Sequence, residues 1–155
     1  VITGNAGVLV TRVLFVKEGL AKRFCIIDGA MNDLIRPTLY SAHHEIVPVF
    51  EAAATSPHVI MDVVGPICES GDFIAKDRSL PMVVAGDLLA IRTTGAYAAV
   101  MGSTYNPRPL APEVLVNGGE FAVIRRRFTV EDMLGLESFP AWLRDEPPIC
   151  ADGAE

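Results

Sequence analysis

The sequence has 155 residues, of which 50% are hydrophobic and 21% charged, and its formal net charge is −6. This profile is typical of one folded domain, and it excludes a disordered segment and argues against a nucleic-acid partner, because Arg125-Arg126-Arg127 is too short a basic cluster. No apolar run approaches the roughly 20 residues of a membrane helix, so we expect a soluble, cytoplasmic protein.

Apolar and β-branched runs recur along the chain and predict a mainly β fold. In chain order they are GVLVTRVLFVKEG, RFCIIDGA, EIVPVF, HVIMDVVGPI, DLLAIRTTGAYAAVM and EVLVNGGEFAVIRRR. Asn117-Gly118-Gly119 divides the last run and predicts a hairpin, because Asn and Gly accept the positive φ angles of tight turns. Strands without alternating helices favour an antiparallel barrel or sandwich over a parallel α/β sheet.

Two short stretches have helical character. AMNDLIRPTLYSA is interrupted at Pro37, and in TVEDMLGLESF the pair Thr129 and Asp132 resembles a capping box. Prolines and small or acidic residues follow position 139, so we predict a β domain over residues 1–139 and a flexible tail over 140–155. The chain starts with VITGNAG, which reads like the middle of a strand and turn and suggests an N-terminal truncation.

The stretch CESGD, Cys68 to Asp72, follows an apolar strand and enters a turn, where a rigid scaffold displays reactive groups. A cysteine there can donate a proton to a carbanion-like carbon, and the adjacent Glu69 carboxylate can hold an ammonium group. For an arbitrary pair, a buried cysteine beside a solvated acid is the commoner arrangement. Asp62 and Asp72 are assigned no role, because aspartates are common at turns and strand ends.

Three further residues could bind a ligand. Arg36 and Tyr40 would share a helix face and offer a planar fork and a hydroxyl to a carboxylate, although spacing alone favours a surface Arg packed over a Tyr ring. Tyr97, in Gly95-Ala96-Tyr97, lies inside a predicted apolar strand, where its small neighbours permit close approach of a ligand, and its phenol could meet a phosphate oxygen. A core tyrosine is the commoner explanation.

Signals for metal binding and disulfides are weak. Cys25, Cys68 and Cys150 cannot all pair within the chain and none has zinc spacing, so we expect reduced thiols. His43-His44 has no third ligand at plausible spacing and is interpreted as an exposed pair. We therefore expect no metal site.

Four motifs in order, DGAMNDLIRPTLY, VVGPICESGD, GDLLAIRTTGAYAAVMGSTYN and RRRFTVEDML, closely resemble the C-terminal region of the diaminopimelate branch of the pyridoxal-phosphate-dependent decarboxylases, which have an alanine-racemase-like fold. The resemblance runs from about residue 1 to about residue 136. It implies a C-terminal β domain, with residues 1–7 ending the connection from a (β/α)8 barrel. That barrel would carry the Schiff-base lysine for pyridoxal 5'-phosphate, and it would lie upstream and end in an EPGR motif just before residue 1.

The resemblance also implies roles for individual residues. Cys68 resembles the proton donor and Glu69 the acid that binds the substrate's distal amino group, both serving the partner's site in a homodimer. Arg36 and Tyr40 resemble the residues that hold the distal carboxylate, and Tyr97 the residue that touches both the cofactor phosphate and the substrate. The implied reaction is decarboxylation of meso-2,6-diaminopimelate to L-lysine and CO2, the last step of lysine biosynthesis, with the isolated chain inactive.

Two alternatives remain open from the sequence. The first is a sister decarboxylase that acts on ornithine, arginine or carboxynorspermidine. The second is a dimerisation or binding module without catalysis of its own.

Overall fold

The computed structural model describes residues 2–51 and 56–143, and β-strands predominate in them. In chain order the strands are β1 Val8–Glu18, β2 Arg23–Ile27, β3 Ile46–Pro48, β4 His58–Val64, β5 Phe73–Pro81, β6 Leu88–Arg92, β7 Glu113–Asn117 and β8 Glu120–Arg125, and the helices are α1 Arg36–Tyr40 and α2 Val130–Leu134. The predicted mainly β fold is confirmed. Most of the predicted tail lies outside the described residues, and the domain boundary at 139 stays a prediction.

Six strands form one sheet in the order β3-β6-β1-β2-β4-β5. Cα atoms of its two edge strands approach within 8 Å of each other. Near this gap the Arg78 guanidinium on β5 donates a hydrogen bond of 2.7 Å to the carbonyl of His44, just before β3. The sheet is therefore a nearly closed barrel, in agreement with the barrel alternative.

One pairing departs from the antiparallel prediction. Strands β2 and β4 are parallel, with Cys25 opposite Val63, whereas the other pairs in the sheet are antiparallel. Parallel neighbours need a crossover connection, because the chain must return to the end of the sheet from which it started. Here the connection is formed by residues 28–57. It includes α1 and brings this helix to one end of the barrel.

The core lies inside the barrel and follows the two-residue alternation of strands. In β6, for example, Leu89 and Ile91 are fully buried while their neighbours along the strand are more exposed. The core residues that are 2% exposed or less include Val13, Cys25, Ile27, Leu34, Met61, Val63, Ile74, Leu89 and Ile91. Burying each large aliphatic side chain stabilises the fold by about 1.5–3 kcal/mol.

The predicted hairpin is present as a separate two-stranded sheet of β7 and β8. Asn117 pairs with Glu120, and Gly118 has a φ of 59°, the conformation for which glycine is suited. Apolar side chains on both strands are at least half exposed, namely Val114, Leu115, Val116, Phe121, Val123 and Ile124. This hairpin therefore adds little to the core of the barrel.

Both predicted helices form, but the first has different bounds. Pro37 was expected to interrupt it, whereas α1 begins at Arg36 and has Pro37 in its first turn, where a missing N–H costs no helical hydrogen bond. Helix α2 has the predicted capping box. The Thr129 hydroxyl accepts the N–H of Asp132 at 3.1 Å, and the Asp132 carboxylate accepts the N–H of Thr129 at 2.9 Å. No helix in the described part of the chain is long and apolar enough to cross a membrane.

Candidate active site

Three segments meet at one end of the barrel and carry all five predicted site residues. They follow β2, β4 and β6, and they span residues 28–41, 65–72 and 93–108. Hydrogen bonds and one cation–π contact join the first of these segments to the other two. The site is therefore assembled from parts of the chain that are far apart in sequence.

The loop between β4 and β5 is built around Asp72, which is only 4% exposed. Its carboxylate accepts the N–H of Ile67 within the loop and the N–H of Met31 from the neighbouring segment, each at 2.7 Å. A Cβ on Gly65 would lie 2.3 Å from Asp72 Oδ2, so glycine is required for this approach. Both carboxylate oxygens bind backbone N–H groups, which makes Asp72 a structural anchor of the loop.

Cys68 and Glu69 lie on this loop, and both are exposed. Glu69 Oε1 accepts hydrogen bonds from the Gly71 N–H and the Ser70 hydroxyl, each at 3.2 Å. The Gly71 N–H, and then the Ser70 hydroxyl, lower the pKa of the Glu69 carboxyl, which favours its ionised form. The loop thus presents a free thiol beside an oriented anion.

The two described cysteines differ sharply. Cys25 lies in the core, and burial raises the pKa of its thiol to about 11, with the nearby Asp87 charge acting in the same direction. Cys68 is exposed, so the buried-cysteine alternative fits Cys25 and is wrong for Cys68. Both are free thiols, and Cys150 lies outside the described residues.

Helix α1 packs directly on the same loop. The Thr38 hydroxyl donates a short hydrogen bond to the carbonyl of Gly71, and a Cβ on Gly71 would lie 3.0 Å from Thr38 Cγ2. Pro37 is buried, whereas Arg36 is half-buried and Tyr40 is exposed. The inner side of α1 is therefore used to hold the loop, and Arg36 and Tyr40 retain accessible surface.

Tyr97 lies in a turn and not in a strand, which corrects two sequence-based expectations. Strand β6 ends at Arg92, and Tyr97 has a φ of 60° and is 61% exposed, so it is not a core tyrosine. The strand ends because Gly95 meets the chain start: its N–H donates to the carbonyl of Gly4 at 3.1 Å, and a Cβ would lie 2.0 Å from the carbonyl oxygen of Thr3. The close approach that Gly95 permits is therefore that of the backbone of Thr3 and Gly4.

Arg36 and Tyr97 contact each other across the site. The Arg36 Cζ atom lies 5.9 Å from the centroid of the Tyr97 ring, within the usual limit for a cation–π interaction. The simpler expectation for Arg36 was a position over a tyrosine ring. The structure confirms such a contact, but the ring is that of Tyr97. Such a contact leaves the edge of the guanidinium able to bind a carboxylate.

The comparison with protein families identifies the domain. The family described as "Pyridoxal-dependent decarboxylase, C-terminal sheet domain" matches residues 2–95. The chain belongs to this family. Among the relatives of this decarboxylase domain, the diaminopimelate decarboxylase of Zymomonas mobilis is 51% identical over 139 residues, which cover 90% of this chain and 32% of the relative.

Further relatives of the decarboxylase domain agree. The diaminopimelate decarboxylase of Neisseria meningitidis (serogroup A) is 52% identical over 136 residues, or 88% of this chain and 33% of the relative. The solved structure of diaminopimelate decarboxylase from Helicobacter pylori complexed with L-lysine has a TM-score of 0.80 and 42% identity, and the match covers 87% of this chain and 32% of that one. The chain therefore spans about a third of the length of these relatives.

Other polar residues of the domain are structural. His44 was interpreted as part of an exposed pair, but it is 1% exposed and its Nδ1 lies 2.9 Å from the carbonyl oxygen of Arg92. Asp62 is buried and lies 3.2 Å from the Lys22 ammonium, near the turn between β1 and β2. The described residues contain no group of three or more His, Cys, Asp and Glu side chains placed to hold a metal ion.

Sequence reasoning missed two residues that contact this site. Asn32 donates from Nδ2 to the carbonyls of Ser103 and Tyr105, which joins two of the segments that build the site. Neither residue has a periodicity or motif that sets it apart, because the contacts join segments about 70 residues apart.

Proposed function

We propose that this chain is the C-terminal part of a diaminopimelate decarboxylase, in which the whole protein converts meso-2,6-diaminopimelate to L-lysine and CO2. This would be the last step of lysine biosynthesis, in the cytoplasm. The observation that carries the proposal is one cluster at the barrel end, in which a free thiol and an ionised carboxylate lie on a loop packed against the helix that carries Arg36. Identities of 51% and 52% to relatives named diaminopimelate decarboxylase support it.

The residues present fit pyridoxal 5'-phosphate as cofactor. Tyr97 is exposed and its phenol is available to donate to a phosphate oxygen. When bound, the cofactor delocalises the electron density left by the departing CO2. The Schiff-base lysine would belong to an upstream barrel domain, so this chain would supply only part of the cofactor's contacts.

The substrate's distal end carries a carboxylate and an ammonium group, and the site offers a partner for each. The Arg36 guanidinium can bind the carboxylate through two parallel N–H donors, with the Tyr40 hydroxyl as a further donor. Glu69 can bind the ammonium, because its backbone and hydroxyl donors favour the charged carboxylate. A substrate that lacks either group would leave one partner unpaired in a closed site, which lowers its rate.

Cys68 would supply the proton. A thiol can donate a proton to the carbon that has lost CO2. The resulting thiolate would be protonated again by solvent, to which Cys68 is exposed. Cys68 would donate its proton to the face of the substrate that lies against the loop between β4 and β5.

The site would be completed by a homodimer. Cys68 and Glu69 are both exposed in the single chain, so they are free to face another subunit. We propose that they serve the partner's site, while the partner's equivalent loop serves this subunit's barrel domain. Such an arrangement would make each site depend on two chains.

The test is a substrate panel for the full-length protein with pyridoxal phosphate. We expect L-lysine and CO2 from meso-diaminopimelate, with kcat/KM at least about a hundredfold above ornithine, arginine and carboxynorspermidine, which lack the distal pair of charges. A higher kcat/KM for one of those three substrates than for meso-diaminopimelate would favour a sister decarboxylase. No turnover on any substrate would favour a non-catalytic module, and CO2 release by the 155-residue chain alone would contradict the proposed division of the site.

A further inference from the structure

Helix α1 and the loop between β4 and β5 meet at Gly71. The Thr38 hydroxyl donates a hydrogen bond to the carbonyl oxygen of Gly71, and the N–H of Phe73 donates to the same oxygen at 2.8 Å. A Cβ on Gly71 would lie 3.0 Å from Thr38 Cγ2, so any larger residue would press against Thr38. Thr38 therefore contacts Gly71 through both branches of its side chain, the hydroxyl and the methyl group.

The two peptide groups that flank Gly71 both bind Glu69. The N–H of Gly71 donates to Glu69 Oε1 at 3.2 Å. The N–H of Asp72 donates to the main-chain carbonyl of Glu69 at 3.0 Å, and it belongs to the same peptide group as the carbonyl that accepts the Thr38 hydroxyl. Because the backbone of glycine is flexible, a contact that fixes these two peptide groups also restricts the Glu69 carboxylate. Thr38 is thus joined to Glu69 through Gly71.

The start of the loop is held by a different contact. Asp72 Oδ2 accepts the N–H of Ile67, the residue before Cys68, at 2.7 Å. This hydrogen bond does not involve Thr38, whereas both peptide groups of Gly71 bind Glu69. Loss of the Thr38 hydroxyl should therefore affect Glu69 more than Cys68.

We propose that Thr38 is a positioning residue that acts through Gly71 and orients the Glu69 carboxylate toward the distal ammonium of the substrate. This inference rests on the proposed function of Glu69. A carboxylate with a fixed direction binds an ammonium group better than one that rotates freely, because less conformational freedom is lost when the substrate binds. Thr38 therefore contributes to selectivity for a substrate that carries this ammonium, without binding it directly.

The first test compares two substrates of the full-length protein in the Thr38→Val variant, which keeps the side-chain shape and removes the hydroxyl. D-2-aminopimelate has the reacting end and the distal carboxylate of meso-diaminopimelate but lacks the distal ammonium. We expect kcat/KM for meso-diaminopimelate to fall about fivefold and that for D-2-aminopimelate to change less than about twofold, since a hydrogen bond that restrains Glu69 is lost. An equal fall for both substrates would overturn the proposal.

Two further variants at position 38 separate the hydroxyl from the methyl group. Thr38→Ser retains the hydroxyl, so it should keep the wild-type ratio of the two kcat/KM values. Thr38→Ala lacks both groups and relieves the contact with Gly71, and it should change the ratio in the same direction as Thr38→Val. It serves as the test if valine at this position prevents folding. A change of the ratio in Thr38→Ser as large as that in the other two variants would refute the role of the hydroxyl.

Thr129→Val is the matched control for a general loss of stability. It makes the same hydroxyl-to-methyl change at the N-cap of α2, where the hydroxyl accepts the N–H of Asp132 at 3.1 Å. We expect it to lower the melting temperature and to leave the ratio of the two kcat/KM values unchanged. If it changed the ratio as Thr38→Val does, the ratio would follow stability and the proposal would fail.

Hydrogen exchange separates this inference from the proposed reaction. The amide protons of Gly71 and Asp72 bind Glu69, and their exchange in the full-length protein can be followed by mass spectrometry of a peptide that contains the loop. We expect faster exchange in Thr38→Val and wild-type exchange in Thr38→Ser. Unchanged exchange in Thr38→Val overturns the inference whatever the substrate. Faster exchange, together with no turnover of meso-diaminopimelate by the wild type, refutes the proposed reaction, while the link from Thr38 to Glu69 stands.

Discussion

Charged side chains gather at both ends of strand β2, and the two ends use them differently. In the turn before β2, the Lys22 ammonium lies 3.2 Å from Asp62 and 2.8 Å from Asp77. At the end where β2 leads into α1, neither Arg36 nor Glu69 forms an ion pair within the described ranges. In the first group the charged side chains pair with one another, whereas the second has a cation and an anion without an ion-pair partner among the described residues.

A similar contrast separates the two buried aspartates. Asp62 Oδ1 accepts the N–H of Asp77 at 2.6 Å, in a bulge of β5 where Asp77 has a φ of 48°. Asp72 accepts two backbone N–H groups and holds the loop of Cys68 and Glu69. Both aspartates are structural, but only Asp72 supports residues of the proposed site. Substitutions at the two ends should therefore separate stability from catalysis.

The largest expected effect is that of Cys68→Ala in the full-length protein. Loss of a positioned proton donor should lower kcat about 10²- to 10⁴-fold, with little change in affinity for L-lysine. Steady-state kinetics and lysine binding measure the two quantities. Cys25→Ala is the matched control, because it removes a core thiol and should lower the melting temperature without this selective loss of kcat. An unchanged kcat in Cys68→Ala would rule out the proton-donor role.

Arg36→Met should have the next largest effect. Loss of the guanidinium should lower kcat/KM for meso-diaminopimelate about 10- to 100-fold, since a hydrogen bond to a charged group contributes about 1.5–3 kcal/mol. D-lysine lacks the distal carboxylate, so its turnover should change little. Lys22→Met is the control at the other end of β2, where the same loss of a cation should leave kcat/KM for meso-diaminopimelate unchanged. Equal effects of the two variants would contradict the distinction between the ends.

Asp72→Asn and Asp62→Asn form a matched pair for stability. Each replaces an oxygen that accepts backbone N–H groups, and we expect each to lower the free energy of unfolding by about 1–3 kcal/mol. Urea unfolding of the full-length protein measures this change. Under conditions where both variants are folded, Asp72→Asn should also lower kcat, because the loop of Cys68 loses its anchor, whereas Asp62→Asn should retain kcat. Retention of full activity by both would count against the anchoring role of Asp72.

The smallest expected effect is the pH dependence of the Lys22 interaction. Hydrogen bonds to Asp77 and then to Asp62 raise the pKa of Lys22 above its ordinary value of 10.5. A raised folded-state pKa means that the stabilisation is complete below pH 10.5 and is lost as the pH rises through the higher value. Melting temperatures of wild type and Lys22→Met should therefore differ at neutral pH and converge at strongly alkaline pH. A difference in melting temperature that grows as the pH rises would contradict this prediction.

Features that depend on neighbouring residues could be predicted from the sequence. The hairpin follows from the φ angles that glycines accept at Gly118-Gly119, and the start of α2 follows from two side chains three positions apart, Thr129 and Asp132. The recurrent apolar runs were enough to predict a mainly β fold. The identities of Cys68, Glu69 and Arg36 as candidates came from ordered motifs, and the structure places them on contacting segments.

Features that depend on distant contacts could not be predicted. The turn at Tyr97 exists because Gly95 packs against the chain start, about 90 residues earlier. The contacts of Asn32 with Ser103 and Tyr105 form because β2 and β6 both run antiparallel to β1 and therefore finish at the same end of the barrel. A local pattern reports the conformation of a segment, whereas its partners are fixed only by the topology of the whole barrel.

The most direct test of the proposed site is a crystal structure of the full-length protein with L-lysine bound. Decarboxylation of the D-centre of meso-diaminopimelate leaves the L-centre as the α-carbon of lysine, so the product keeps both distal charges. We predict the α-ammonium within about 3.2 Å of the Glu69 carboxylate, the α-carboxylate on Arg36, and the ε-carbon beside the Cys68 thiol. Lysine bound with both α-groups away from Glu69 and Arg36 would contradict the proposed site.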